Sequence, residues 1–206
     1  MKIKKITAVA LCLTMMATAF VFAGCDKVDK KDGSNSATNS SEQTNGGGSE
    51  DAATVKQVEL SFASEKYIND GDESLEKLID GVDATIKTDK NDTVHQIEAL
   101  ITLLKTVPEG TKGAVTFVTD DIEIGGITVD GTKCNIDLKG NLSGLDLYTE
   151  QFFVYQIVDS VLDSFDDIKS ISFTVDGKTV DTLGGHMDMS QAFTEKSIDE
   201  FEGDIE

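Results

Sequence analysis

Along residues 55–175 the apolar positions switch between two spacings, and each switch marks an element. "VKQVELSFA" (55–63) alternates, with Val58, Leu60 and Phe62 on one face, and predicts a strand. Residues 64–90 are ambiguous: "GDESLEKLIDG" allows one short helical turn, and "VDATIK" a further strand. "NDTVHQIEALITLLK" (91–105) predicts a helix, capped by Asn91 or Asp92. Its buried stripe is Val94, Ile97, Leu100, Ile101 and Leu104, and Pro108 and Gly110 stop it.

Beyond that helix, "AVTFV" (114–118) and "IEIGGITV" (122–129) read as strands. Ile122 and Ile124 share a phase that resumes, shifted, at Ile127 and Val129, so a β-bulge is expected at Gly125-Gly126. Asp130-Gly131 signals a tight hairpin into "TKCNIDL", where Cys134, Ile136 and Leu138 alternate onto one face. "YTEQFFVYQIVDSVLDSF" (148–165) carries the strongest helical period, through Val154, Ile157, Val158, Val161, Leu162 and Phe165. "KSISFTV" (169–175) is a strand with Ile171, Phe173 and Val175 inward; Asp176-Gly177 turns it, and "KTVDTL" is a possible return strand. The fold class expected is α+β: one small domain with two helices packed on one face of a mainly antiparallel sheet.

The flanks read differently. Lys2, Lys4 and Lys5 precede an apolar run over 6–22, and "FAGC" closes it, the pattern of a secretory signal over 1–24. Cys25 after Ala23-Gly24 resembles the lipobox of bacterial lipoproteins, whose cysteine becomes the acylated N-terminus; Phe22 stands where leucine is usual. Several acyl chains on Cys25 would hold the protein to a membrane where one would not. Residues 25–54 are then an acylated cysteine and a Gly/Ser/Asn/Thr-rich linker, with a random-coil reach of roughly 30 Å. Residues 196–206 read as an acidic C-terminal tail.

Charge narrows the partners. The whole chain carries −20 without a single arginine, and loss of the three signal lysines makes it −23. Such a surface repels nucleic acid and anionic headgroups, so no nucleic acid is expected as a partner. A protein partner is expected to offer a basic face.

Candidate chemistry is sparse. Cys134 is left without a partner in the mature chain and reads as a buried, inert thiol. His95 falls on the polar face of its helix with Glu98, Thr102 and Lys105 and reads as a solvated side chain, for which a Glu98 contact one turn away would be worth little. In "YINDGDES" (67–74) the acids are clustered rather than alternate, and the twelfth position from Asn69 is Asp80 where a calcium loop wants Glu; a solvated acidic loop outweighs a weak cation site. "TLGGHMDMSQAF" (182–193) has the residue types of a soft-metal site. If extended, however, it turns His186 and Asp188 one way and Met187 and Met189 the other. The favoured reading is backbone freedom at Gly184-Gly185 with both methionines packed inward, and neither metal nor cofactor is assigned.

"IKSISFTVDGKTVDTLGGHMDMS" closely resembles the end of the GerMN domain of the sporulation and spore germination (GerM) family, with its D-G-K turn and "TLGGH-x-D-x-S". "VELSFA", "VPEGT", "ITVDGTKCNIDLKGNL" and "YQIVDSVLDSF" match in order, so the resemblance covers 55–195. It implies a fold similar to a ring-building β-α-β-β-α-β module, no catalysis, and a lipid-anchored place on the extracytoplasmic face of the cell membrane. Gly184, Gly185, His186, Asp188 and Ser190 are its motif residues here. The resulting expectation is a non-enzymatic protein that docks envelope proteins in sporulation or germination. The alternative is a small-ligand or metal-binding lipoprotein serving a membrane complex.

Overall fold

A computed structural model describes residues 54–203. The signal peptide, Cys25 and the linker up to residue 53 lie outside the described residues. In chain order the elements are β1 (Thr54–Ser64), α1 (Glu65–Asp70), β2 (Leu78–Thr88), α2 (Thr93–Leu104), β3 (Ala114–Val115), β4 (Glu123–Asp130), β5 (Lys133–Lys139), α3 (Leu147–Ser164), β6 (Ser170–Val175), β7 (Lys178–Thr179) and α4 (Glu195–Glu202). The α+β class holds, and every strand pair but one is antiparallel. The strands form two sheets, ordered β2-β1-β3 and β4-β5-β6-β7, with β5 and β6 parallel. Among the described residues, helices number four rather than two.

Local chemistry explains both the matches and the departures. Asp92 caps α2 by accepting from the His95 N–H at 3.0 Å. The bulge expected at Gly125-Gly126 is present, as a register shift between Ile124 and Gly126. A second bulge was not expected. Asp80 and Gly81 on β2 together oppose Ser61 of β1, and Gly81 takes φ +65 there. The slip breaks the alternation between Ile79 and Val82, which is why the stretch before "VDATIK" reads as helical turn rather than strand.

α3 is buried nearly all round and is the centre of the domain: Phe152, Phe153, Val154, Ile157, Val158 and Val161 are each fully buried. It also carries a polar row at four-residue spacing, Gln156, Ser160 and Ser164, which lies against β1. Ser160 Oγ accepts from Ser61 N–H (2.8 Å), and Ser164 Oγ accepts from Glu59 N–H (3.0 Å) and donates to Glu59 C=O (3.0 Å). Gln156 Oε1 accepts from Phe117 N–H (2.8 Å), while its amide donates to Val115 C=O (3.3 Å). These side chains occupy the ladder positions that a longer β3 would fill. "AVTFV" is therefore a strand over two residues only, and the free edge of β1 is closed by a helix face instead of a strand.

Of the segment read as an acidic tail, 196–206, the residues up to Glu202 are part of the fold, in α4. Ile198 and Phe201, three apart, are buried, and the Phe201 ring stacks on Tyr155 at 3.9 Å between centroids. Glu202 accepts from Leu78 N–H (2.9 Å) and Lys77 N–H (3.0 Å), tying α4 to the start of β2. Charge dominates the composition of this stretch and hides a short amphipathic helix.

Candidate functional site

The motif of residues 182–193 follows β7 and runs past the first turn of α3. Asp146 caps that helix, accepting from Thr149 N–H at 3.0 Å. One turn on, Glu150 is completely buried, and its two carboxyl oxygens each take one backbone N–H of the motif. Oε1 accepts from Leu183 at 2.9 Å and Oε2 from His186 at 2.8 Å. Glu150 thus bridges the ends of the Leu183–His186 turn and satisfies two donors that lie within no strand or helix.

The two glycines differ in their roles. A Cβ on Gly184 would sit 2.7 Å from Leu145 O and 3.1 Å from Glu150 Oε2, so the motif approaches the α3 entrance more closely than any side chain permits. Gly185 has open space but φ +102, a conformation that side-chained residues resist. His186 is exposed; its ring Nε2–H donates to Leu145 C=O at 3.2 Å, an assignment of the proton that follows from the carbonyl acceptor. Met187 and Met189 are buried, while Asp188 and Ser190 are exposed, in the alternation expected of them. Asp188 accepts from Ser190 N–H at 2.8 Å, and the Ser190 hydroxyl and N–H together hold its carboxyl below the usual range. His186 therefore lies on the side opposite both methionines, and among the described residues no three His, Cys, Asp or Glu side chains converge as a metal site would need.

Other sequence candidates resolve into local structure. The ring of His95 turns back toward the helix start, donating from Nδ1–H to Asp92 (2.7 Å) and accepting from Lys90 Nζ at Nε2 (2.8 Å); Glu98 is not its partner. In the 67–74 segment Asp72 accepts from Ser74 N–H (2.9 Å), and Glu73 is engaged by Lys77 (2.8 Å) and the Tyr67 hydroxyl (3.0 Å). Cys134 is buried, and desolvation pushes its thiol up to about 11, so it is a poor nucleophile. Asp137, by contrast, holds the D-G-K turn. It accepts from Gly177 N–H (2.7 Å) and Thr174 Oγ1 (2.8 Å), and the Lys139 ammonium beside it, with these two donors, brings its carboxyl down to about 2.

Sequence reasoning missed Glu150 and the polar row of α3. An acid in a first helical turn reads as a surface complement to the helix dipole, and nothing local signals that this one is buried. The polar row did carry a signal, its strict four-residue spacing within an otherwise apolar helix.

Comparison with known proteins places the domain. The family model for Germane, sporulation and spore germination, matches residues 65–181, more than half of the chain. Among solved structures, a candidate lipoprotein from Clostridium perfringens is similar at 20% identity and TM-score 0.44, over 68% of this chain and 89% of that one. The tandem GerMN domains of the Bacillus subtilis sporulation protein GerM are similar at 18% identity and TM-score 0.41, over 74% of this chain and 50% of that one. No curated protein matches the chain. On the family match, the chain belongs to the Germane family of sporulation and spore germination proteins.

Proposed function

We propose that this is a non-enzymatic domain, lipid-anchored through Cys25 on the extracytoplasmic face of the cell membrane, that docks an envelope protein with a basic face during sporulation or germination. Membership of the Germane family carries the reading. The use of buried polar groups agrees with it: Glu150, Gln156 and Ser160 all bind main chain, and Asp159 accepts from the Ser61 hydroxyl at 2.7 Å. These groups build the fold, which leaves function to the surface. That surface belongs to a chain of charge −20, so a basic partner is favoured in steering and in specificity.

The anchor is tested by Cys25→Ala. The variant is expected to leave the membrane fraction or to persist as the unprocessed precursor; recovery in the membrane at processed size contradicts the lipoprotein. Docking is tested by photo-crosslinked capture from envelope extracts of sporulating and vegetative cells at about 0.1 M and 1 M salt, across which the Debye length falls from about 10 Å to 3 Å. The expected result is one dominant basic partner from sporulating cells, reduced at least tenfold at high salt, with no muropeptide release from purified wall. Capture that ignores salt removes the basic-face element, and reproducible wall cleavage overturns the non-enzymatic reading.

A further inference from the structure

We infer that the free edge of β4, with the groove between it and α2, is a docking site for an extended basic peptide segment that joins the β4-β5-β6-β7 sheet as an added strand. The inference rests on the docking reading above and gives it a location and a mode.

β4 is the end strand of its sheet. Asp130 and Lys133 pair across a turn of two residues, Gly131-Thr132. Residues that flank such a turn exchange both backbone hydrogen bonds, and the pattern then alternates along the ladder. The N–H and C=O of Val129 and Ile127 therefore point away from β5. The far side of β5 agrees with this phase: the Leu138 carbonyl, of the same parity as Cys134 and Ile136 opposite them, faces β6 and accepts from Asp176 N–H at 2.9 Å. Two residues of β4 thus offer four backbone groups at strand spacing to the open side.

Beside this edge lies a cavity of about 390 Å³ between α2 and the start of β4. Ile101, Ile122 and Ile127 are its buried apolar lining; Gly126 leaves the backbone bare along it, while the Lys139 side chain lies over Gly125. β2 is also an end strand, but the Asp80-Gly81 bulge interrupts its edge. A strand added to β4 would place one side chain in the cavity and alternate ones outside it, the division of labour expected of strand addition.

Charge selects the occupant. Glu98, Asp120, Asp121, Glu123 and Asp130 are exposed around the edge and the cavity. Lys105 is the basic residue lining the cavity, and its ammonium is paired with Asp120 at 2.5 Å. A second copy of a chain carrying −20 is repelled here, whereas lysine or arginine side chains flanking an extended segment are attracted.

The test uses the full chain in detergent and three fluorescent decapeptides: one alternating lysine with valine or threonine, one with glutamate in place of each lysine, and the lysine peptide N-methylated at alternate residues. The lysine peptide is expected to bind at least tenfold more tightly than either of the others, because N-methylation removes strand pairing and leaves the side chains. Val129→Pro removes an outward N–H without touching the β5 ladder and should lower affinity at least tenfold. Should that variant fail to fold, the double variant Glu98→Lys, Glu123→Lys changes exposed positions only and should shift preference toward the glutamate peptide. Equal binding of the methylated peptide, or no binding of the lysine peptide, overturns the inference, as does a concentration-dependent dimer abolished by the double variant, which makes a second copy the occupant. Envelope capture that survives the double variant leaves docking intact and refutes this edge; peptide binding without any envelope capture refutes the docking reading and leaves the edge.

Discussion

Glu150→Ala is expected to destabilise the domain by about 3 kcal/mol, far more than any change at the histidine of the motif. The variant strips the partners from two backbone N–H groups, of Leu183 and His186, and a buried donor left unpaired costs about 1–3 kcal/mol. His186→Ala removes an exposed side chain and should stay within about 0.5 kcal/mol. The glycines fall between these. Gly184→Ala forces a Cβ against Leu145 O and should cost about 2 kcal/mol as overpacking, and Gly185→Val is strained by its φ of +102. Urea midpoints of the four variants check the order. Glu150→Ala at the wild-type midpoint, or His186→Ala as the weakest of the set, contradicts it.

Truncation after Thr194 is expected to cost about 4 kcal/mol, although it removes residues that read as a charged tail. The loss comes from burial. Ile198 and Phe201 are each worth roughly 1.5–3 kcal/mol, and their removal bares the rings of Tyr155 and Phe152. The truncated chain should also bind an apolar fluorescent dye that the full chain does not. A truncated chain with the full chain's urea midpoint would return residues 196–202 to the status of a tail.

Much of the fold was legible because burial writes itself into spacing. The alternation at Cys134, Ile136 and Leu138 and the stripe of α2 name their faces directly, and even the phase slip at Gly125-Gly126 could be read. Elements became illegible where a side chain from elsewhere replaces a repetitive contact. β3 ends early because Gln156, distant in sequence, takes the hydrogen bonds that would have extended it. β2 is masked by a bulge whose second residue needs positive φ. In the motif, the sequence reading of paired glycines, inward methionines and an outward histidine agrees with their places in the structure, while the residue that organises them lies over thirty positions upstream, in α3. No local pattern reports such a long-range carboxyl. α4 was hidden by composition, since its two anchoring side chains stand among acids.

The claim on which the rest stands is that Glu150 holds the Leu183–His186 turn closed against α3 as part of the fold. Amide hydrogen exchange at Leu183 and His186 tests it most directly. Both N–H groups are held by Glu150 and should exchange only on global opening, as slowly as the amides of β5, and both should lose that protection together in Glu150→Ala. Rapid exchange of these two amides in the wild-type protein, at the rate of an open loop, would contradict the account.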